Sequence, residues 1–108
     1  MGNHLLLEVY NVKYDLLNSL EPLLEVMKEG ISRANMTILN VFTYQFDPQG
    51  LTILISLAES HYSLHSWPEK GCVAVDIYTC GEKSPKIVAL QLLKYFDSYD
   101  YKIREISR

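Results

Sequence analysis

The sequence has 108 residues, of which 48% are hydrophobic and 21% are charged, and this composition is typical of one globular domain, here residues 1–108. The formal net charge of −3 argues against a nucleic-acid partner, because binding phosphates requires clustered Lys and Arg side chains. The opening run MGNHLLLEVY is apolar only in part and has no basic flank, so we expect no signal peptide, no membrane partner and a cytoplasmic location.

The first half of the chain predicts a strand, a helix and a hairpin. The apolar residues of the helical segment recur at the spacing of one helix face, and they are Leu20, Leu23, Leu24, Met27 and Ile31. Ser19 precedes them as a candidate amino-terminal cap. The turn sequence DPQG at 47–50 follows a β-branched and aromatic run and predicts a connection to another strand. The predicted elements are a strand at 3–10, a helix at 19–34, a strand at 37–46 and a strand at 51–58.

The second half predicts another hairpin, a helix and a last strand. WPEKG at 67–71 contains a Pro and a Gly and predicts the turn between two strands. Ser84 and Pro85 mark the start of a helix. We expect its apolar residues to lie on one face, and they are Ile87, Leu90, Leu93 and Phe96. The predicted elements are strands at 60–66 and 72–79, a helix at 84–98 and a strand at 101–107.

This order of elements, β-α-β-β-β-β-α-β, predicts an α+β fold. We expect a two-layer α/β sandwich, in which helices lie on one face of a mainly antiparallel sheet. The other face of such a sheet stays open, and here it would carry apolar and aromatic side chains. Because large exposed apolar faces mark interaction sites, we expect a homodimer in which a second copy of the chain covers that face.

The run SHYSLHS has polar side chains where a buried strand would use Val or Ile, which indicates a chemical role. His61 and His65 are four residues apart, but a strand would place them on one face about 13 Å apart, so we expect no metal site. Ser60 with His65 as its base is an open hydrolase alternative, although the G-x-S-x-G turn of such enzymes is absent. Cys72 and Cys80 lie too far apart in one strand-like run to form a disulfide bond with each other.

Four blocks of the sequence resemble the motifs of one enzyme family. They are GNHLLLE near the start, the segment around Phe46 and Gly50, ESHYSLHSWPEKG from Glu59, and AVDIYTCG ending at Gly81. Together they are similar to the bacterial and archaeal S-adenosylmethionine decarboxylases, with the patterns E-S-H, H-[ST]-[WF]-P-E-x-G and D-[ILV]-[YF]-T-C-G. The resemblance covers nearly the whole chain.

The resemblance implies an enzyme that makes its own cofactor. Such a chain cuts its backbone between Glu59 and Ser60 into a β chain, 1–59, and an α chain, 60–108, and Ser60 becomes a covalent pyruvoyl group. This ketone supplies the electron sink that decarboxylation of an α-amino acid requires, so neither a metal nor pyridoxal phosphate is needed. The implied substrate is S-adenosylmethionine, and its decarboxylated product is the aminopropyl donor for spermidine and other polyamines.

The resemblance also implies roles for individual side chains. His65 matches the histidine that promotes β-elimination during self-processing, and Cys80 matches the cysteine that returns a proton to the α-carbon. Thr52 stands where many relatives have a serine that supports the acyl shift, and it keeps the hydroxyl. The implied substrate-binding residues are Phe46, Trp67 and Glu69.

The spacing of the candidate residues bears on how a site is assembled. Ser60 and His65 are an odd number of residues apart, so in one regular strand they point to opposite faces. Larger eukaryotic relatives look like two such units fused, which implies that residues around His65 in one chain complete the site of Ser60 and Cys80 in the other. His4 and Glu8 share a strand face and either line the site or only fix the amino terminus. A decarboxylase of arginine or ornithine and an unprocessed homologue with a regulatory partner remain alternatives.

Overall fold

The computed structural model describes residues 1–108 and contains six strands and three helices. The elements in chain order are β1 (Gly2–Val9), α1 (Tyr14–Asn18), α2 (Leu20–Arg33), β2 (Ile38–Gln45), β3 (Leu51–Leu57), β4 (Ser60–Trp67), β5 (Cys72–Cys80), α3 (Pro85–Phe96) and β6 (Tyr101–Ser107). The strands form one sheet in the order β2-β3-β4-β5-β1-β6, and all neighbours are antiparallel. The predicted α+β sandwich is confirmed.

Three consecutive turns join β2, β3, β4 and β5 into a meander. Phe46 N–H donates to the Gly50 carbonyl over 2.8 Å and closes the first turn, where Gly50 has a φ of +112° that favours glycine. The β3–β4 connection has two residues, and the β4–β5 connection contains a 3-10 turn at Pro68–Lys70. Gly71 ends that turn with a φ of +64°, and a β-carbon there would lie 3.1 Å from the Val12 carbonyl. The two predicted turns at 47–50 and 67–71 are therefore confirmed.

Helices α2 and α3 cover one face of the sheet, and alternate strand residues pack beneath them. In β1 the buried residues are Leu5, Leu7 and Val9, and in β3 they are Leu51, Ile53, Ile55 and Leu57. The predicted face of α2 is confirmed, because Leu23, Leu24, Met27 and Ile31 are buried and Leu20 packs against the core. Ser19 lies at the cap position, but its side chain makes no capping hydrogen bond. We call this side of the sheet the covered face.

The predicted face of α3 is confirmed for Phe96, which is buried, and for Leu93, which packs against the core, but it is wrong for Ile87 and Leu90. Its buried residues are Pro85, Val88, Ala89, Leu92 and Phe96. Ile87 and Leu90 are exposed, with 42% and 61% of their surface accessible. Ile87 and Phe96 are nine residues apart, which is about two and a half turns of a helix with 3.6 residues per turn. Their side chains therefore point in opposite directions. The start of α3 is as expected, because the Ser84 hydroxyl accepts a hydrogen bond from Lys86 N–H at 3.3 Å and Pro85 opens the helix.

Helix α1 was not expected from the sequence. It has five residues, which is too short for a helical period to appear, and it buries Leu17. The longest helix, α2, has 14 residues, and none of the three is long and apolar enough to cross a membrane.

The opposite side of the sheet, which we call the open face, has no helix over it. Its side chains alternate with those of the core and are mostly half-buried or exposed. The ionisable groups that it carries on the strands β4, β5, β1 and β6 are His4, Glu8, His61, His65, Cys72, Asp76, Tyr78, Cys80, Lys102 and Arg104. Toward β2 the face becomes apolar, because Phe42 and Tyr44 lie beside Leu54 and are 54%, 54% and 41% exposed.

Candidate active site

The bond between Glu59 and Ser60 lies at the tight end of the β3–β4 hairpin. Leu57 pairs with Ser60, so Ala58 and Glu59 form a two-residue turn. Turns of this length normally place a positive φ value on one or both of their central residues, but neither Ala58 nor Glu59 has one. Ser60 instead has a φ of +155°, a conformation that residues with a β-carbon rarely adopt and that costs on the order of 1–3 kcal/mol. The backbone is therefore strained at the expected cleavage serine.

Hydrogen bonds hold both the side chain and the backbone carbonyl of Glu59 in place. Its side-chain oxygen Oε1 accepts a hydrogen bond from Thr37 N–H at 2.9 Å. Its carbonyl accepts one from Cys80 N–H at 3.0 Å. The carbonyl that the Ser60 hydroxyl would attack is thus fixed beside the end of β5, and this places Cys80 next to the cleavage site. Cys80 is exposed and unpaired.

The far end of β4 opens on a cavity of about 370 Å³. The five expected residues that line it are Phe46, Thr52, His65, Trp67 and Glu69. Phe46 and Trp67 are 50% and 42% exposed, so both offer apolar surface to a bound molecule. Tyr44 lies against Phe46 at a centroid distance of 4.8 Å and supports its ring.

A direct hydrogen bond connects Thr52 with His65. The two residues face each other across β3 and β4, and Thr52 Oγ1 lies 3.0 Å from His65 Nδ1. This contact fixes the plane of the imidazole and leaves Nε2 available for proton transfer. A serine at position 52 would keep the hydroxyl, while a residue without one would leave the ring free to rotate.

His65 also borders a second, smaller cavity of about 160 Å³ on the open face, with Glu8, Asp76 and Arg104 around it. Arg104 Nη2 lies 3.4 Å from Glu8 Oε1. Sequence reasoning gave Arg104 no role, because its proximity to Glu8 follows from the pairing of β6 with β1, across 96 residues of the chain. Glu8 therefore lies close to the candidate site, which favours the first of the two interpretations left open for it.

The candidate residues of one chain form two separate groups. Ser60 and Cys80 lie at one end of the sheet, and the cavity with His65 lies at the other. Ser60 and His65 are five residues apart in one regular strand, a separation of roughly 17 Å along the backbone. Their side chains also point to opposite faces of the sheet, because Ser60 lies on the same side of β4 as buried Tyr62 and Leu64. One chain does not bring all of these side chains together.

No three His, Cys, Asp or Glu side chains lie close enough to bind a metal ion together. His61 instead packs in a cluster of rings on the open face, near the end of β4 that begins at Ser60. His61, His4 and Tyr78 have pairwise centroid distances of 6.1, 5.7 and 5.8 Å. Asp76 accepts a hydrogen bond from His4 Nε2, and the Arg108 guanidinium lies 5.0 Å from the Tyr78 ring centre. We call these five residues the ring cluster.

Comparison with known proteins identifies similar sequences. The family model for S-adenosylmethionine decarboxylase matches residues 3–108. The S-adenosylmethionine decarboxylase proenzyme of Thermodesulfovibrio yellowstonii is 37% identical, over 100% of this chain and 81% of that protein. The proenzyme of Prochlorococcus marinus is 43% identical, over 87% of this chain and 75% of that protein.

Solved structures agree with the sequence matches. The crystal structure of the adenosylmethionine decarboxylase from Aquifex aeolicus superimposes with a TM-score of 0.93 and 32% identity, covering 100% of this chain and 90% of that one. The Trypanosoma brucei AdoMetDC-delta26 monomer shares the fold, with a TM-score of 0.67 and 14% identity, and this chain covers 44% of it.

Proposed function

The chain belongs to the S-adenosylmethionine decarboxylase family, and we propose that it is a self-processing proenzyme whose mature form decarboxylates S-adenosylmethionine. The product would supply aminopropyl groups for the synthesis of spermidine and other polyamines. The observation that carries the proposal is the backbone of Ser60, whose positive φ coincides with the serine of the E-S-H motif.

Self-processing would begin at the strained hairpin. The Ser60 hydroxyl attacks the Glu59 carbonyl carbon, and the acyl group moves from the Ser60 nitrogen to its oxygen, which gives an ester. A base then removes the α-proton of residue 60, and the Glu59 carboxylate leaves as the carbon–oxygen bond breaks. Loss of the nitrogen as ammonia on addition of water leaves a pyruvoyl group at the start of the α chain, 60–108, and Glu59 ends the β chain, 1–59. Breaking this bond releases the φ strain at Ser60, so the folded proenzyme favours the reaction.

The chemistry of the surrounding residues fits this group. The pyruvoyl carbonyl would supply an electron sink for the electron pair left on the substrate α-carbon when carbon dioxide departs, so the reaction needs no metal and no pyridoxal phosphate. His65, oriented by Thr52, removes the α-proton during processing. Cys80, beside the cleavage site, returns a proton to the substrate α-carbon after carbon dioxide leaves.

The larger cavity fits the rest of the substrate. A sulfonium next to the exposed faces of Phe46 and Trp67 would gain roughly 0.5–2 kcal/mol from cation–π attraction. The Glu69 carboxylate at the same cavity can accept hydrogen bonds from both ribose hydroxyls. Arginine or ornithine has neither a sulfonium nor a ribose, so this cavity favours S-adenosylmethionine over those amino acids.

We further propose that two chains share each active site. The groups around Ser60 and His65 are separated by roughly 17 Å in one chain, which is too far for a proton transfer between them. Two open faces stacked about a two-fold axis would place the Ser60 end of one chain over the cavity of the other. Stacking would also cover the apolar part of the open face at Phe42, Tyr44 and Leu54.

Intact mass and carbon dioxide release test the function. Purified protein should convert to two fragments with no added protease. One fragment should end at Glu59, and the other should begin with a pyruvoyl group at position 60. The cleaved protein should release labelled carbon dioxide from carboxyl-labelled S-adenosylmethionine and not from arginine or ornithine. A chain that stays intact on long incubation would favour the regulatory homologue, and release from arginine or ornithine would assign another substrate.

Mixing two inactive variants tests the shared site. Cys80→Ala and Glu69→Ala chains, mixed under conditions that allow subunit exchange, should pair randomly, and about a quarter of all sites would then hold both native residues. Cys80→Ala mixed with Ser60→Ala is the matched control, because those two residues belong to the same end of one chain and no mixed dimer restores a site. Recovery in neither mixture would contradict the shared site and leave the decarboxylase proposal intact.

A further inference from the structure

Self-cleavage would leave the catalytic ketone at a newly made chain end. Residue 60 is the first residue of β4, and after cleavage no covalent bond joins it to β3. Strand ends fray because their local opening free energies are close to zero. A catalytic group displaced by about 1 Å can lose on the order of 100-fold in rate. Some part of the fold must therefore hold the start of β4 in place in the mature enzyme.

The ring cluster lies one residue from that chain end. His61 follows Ser60 directly, and its ring meets His4 edge-on, with an interplanar angle of 86°, while it tilts against Tyr78 at 49°. The backbone register supports these contacts, because His61 pairs with Tyr78 and Tyr78 pairs with His4 across three adjacent strands. These contacts therefore anchor the residue that directly follows position 60.

The members of the ring cluster come from both products of cleavage. His61 and Tyr78 belong to the α chain, and His4 belongs to the β chain. Asp76, on the same side of β5, accepts a hydrogen bond from His4 and fixes the orientation of its ring. The Arg108 guanidinium lies over the Tyr78 ring. The ring cluster thus joins the two fragments next to the bond that is cut.

Resting on the function proposed above, we propose that His61 is a positioning residue, which holds the pyruvoyl-bearing end of the α chain in place through its ring contacts with His4 and Tyr78. His61 takes no part in proton transfer. His61 is needed for positioning only after cleavage, because in the uncut chain the covalent turn at Ala58 and Glu59 still holds residue 60.

The test compares His61→Ala, His61→Phe and the control Ser56→Ala. Ser56 faces His61 across β3 and β4 on the open face, but it contributes no ring to the cluster. The His61→Ala chain should cleave fully and keep its KM within about threefold, while its kcat falls roughly 10- to 100-fold. The amide hydrogens of residues 61–63 should exchange faster in the mature variant. His61→Phe should recover most of the kcat, because a ring without ionisable nitrogens preserves the packing, and Ser56→Ala should match the native enzyme.

A second variant separates positioning from a general loss of structure. His4→Ala changes the β-chain side of the cluster, and it should lower kcat by a similar factor. The kcat of the double variant should be no more than about threefold below that of the less active single variant, since both changes remove the same contact. Four outcomes would each overturn the proposal. They are a double variant whose kcat falls by the product of the two single losses, a native kcat in His61→Ala, an inactive His61→Phe and a His61→Ala chain that fails to cleave. If native protein itself stays uncut, the proposed function fails instead, and the two failures are thereby distinguished.

Discussion

The two faces of the single sheet differ in what their residues contribute, although they alternate along the same strands. On the covered face the central positions of β1, β3 and β4 are aliphatic or aromatic and almost fully buried, as at Leu7, Ile55 and Leu64. On the open face the neighbouring positions hold histidines, carboxylates and free thiols, most of them within reach of solvent. Packing accounts for the residues of the first face, and the proposed chemistry would account for those of the second. A substitution should therefore affect stability or activity according to the face on which it lies.

Strand β4 shows where this division fails. Ser66 is polar but lies on the covered face, where its hydroxyl donates to the Leu17 carbonyl at 2.7 Å and accepts from Leu51 N–H at 3.0 Å. Ser60 also has the phase of the covered face, yet it is the expected cleavage residue. Polar residues in one strand thus serve two purposes, and burial together with hydrogen bonds distinguishes them.

The largest effect is expected for His65→Ala on the open face. Loss of a positioned base typically slows proton transfer by about 10²–10⁴-fold, so the variant should accumulate the ester and form the pyruvoyl group that much more slowly. The free energy of unfolding should change by no more than about 0.5 kcal/mol, because the side chain is exposed. Mass spectrometry over time and urea denaturation measure the two quantities.

Cys80→Ala is the matched comparison for His65→Ala, since both lie on the open face. It should cleave at close to the native rate and then release carbon dioxide poorly. Equal loss of cleavage in both variants would contradict the separate roles of the two residues.

The second-largest effect is expected on the covered face, where a substitution should lower stability and leave activity unchanged. Ile55 is 1% exposed and pairs with Tyr62 across β3 and β4, so Ile55→Ala should leave a cavity and lower the free energy of unfolding by about 2–5 kcal/mol. Activity per folded molecule should not change. Ser56→Ala, the adjacent residue on the open face, should cost less than about 0.5 kcal/mol and serves as the control. Similar unfolding midpoints for the two variants would show that the faces do not divide as described.

A smaller effect is expected for Ser66→Ala. Removing the hydroxyl leaves Leu51 N–H and the Leu17 carbonyl without that partner in a buried place, which should cost about 1–3 kcal/mol. Because Ser66 lies on the covered face, cleavage and kcat should remain close to native values. Thermal or urea unfolding and the two activity assays give the result, and a stable but inactive Ser66→Ala protein would assign Ser66 to the site instead.

The strands and turns could be predicted from the sequence because their signals are local. The run LTILISL and the turns at 47–50 and 67–71 need only alternation, β-branching and Gly or Pro. The face of α3 was predicted only in part, because nine of its twelve residues are apolar or aromatic and its sequence does not clearly distinguish one buried stripe from another.

The candidate site depended on other information. His65 and Cys80 were assigned by resemblance to a family, and the odd spacing of Ser60 and His65 correctly indicated opposite faces of β4. The ring cluster could not be predicted, because the contact between His4 and Tyr78 follows from a strand register 74 positions apart. No local pattern encodes such a pairing.

The smallest effect, and the one that isolates a single atom, is expected for Tyr62→Phe on the covered face. The Tyr62 ring is fully buried, and its hydroxyl has no hydrogen-bond partner. Phe keeps the packing of the ring and removes a polar atom whose burial is unfavourable, so at pH 7 the variant should be as stable as the native protein or up to about 1 kcal/mol more stable.

Alkaline pH sharpens this expectation. Burial raises the pKa of Tyr62 well above its usual value of 10.0, so in the folded protein the phenol stays protonated where the unfolded chain loses its proton. The unfolded state then binds fewer protons, and native stability falls as pH rises above 10, by at most about 1.4 kcal/mol per pH unit from this one group. Tyr62→Phe removes that contribution, so its stability advantage should grow between pH 10 and 11 in urea denaturation. A variant less stable than the native protein at both pH values would mean that the hydroxyl has a partner in solution, and that this part of the covered face is not purely apolar.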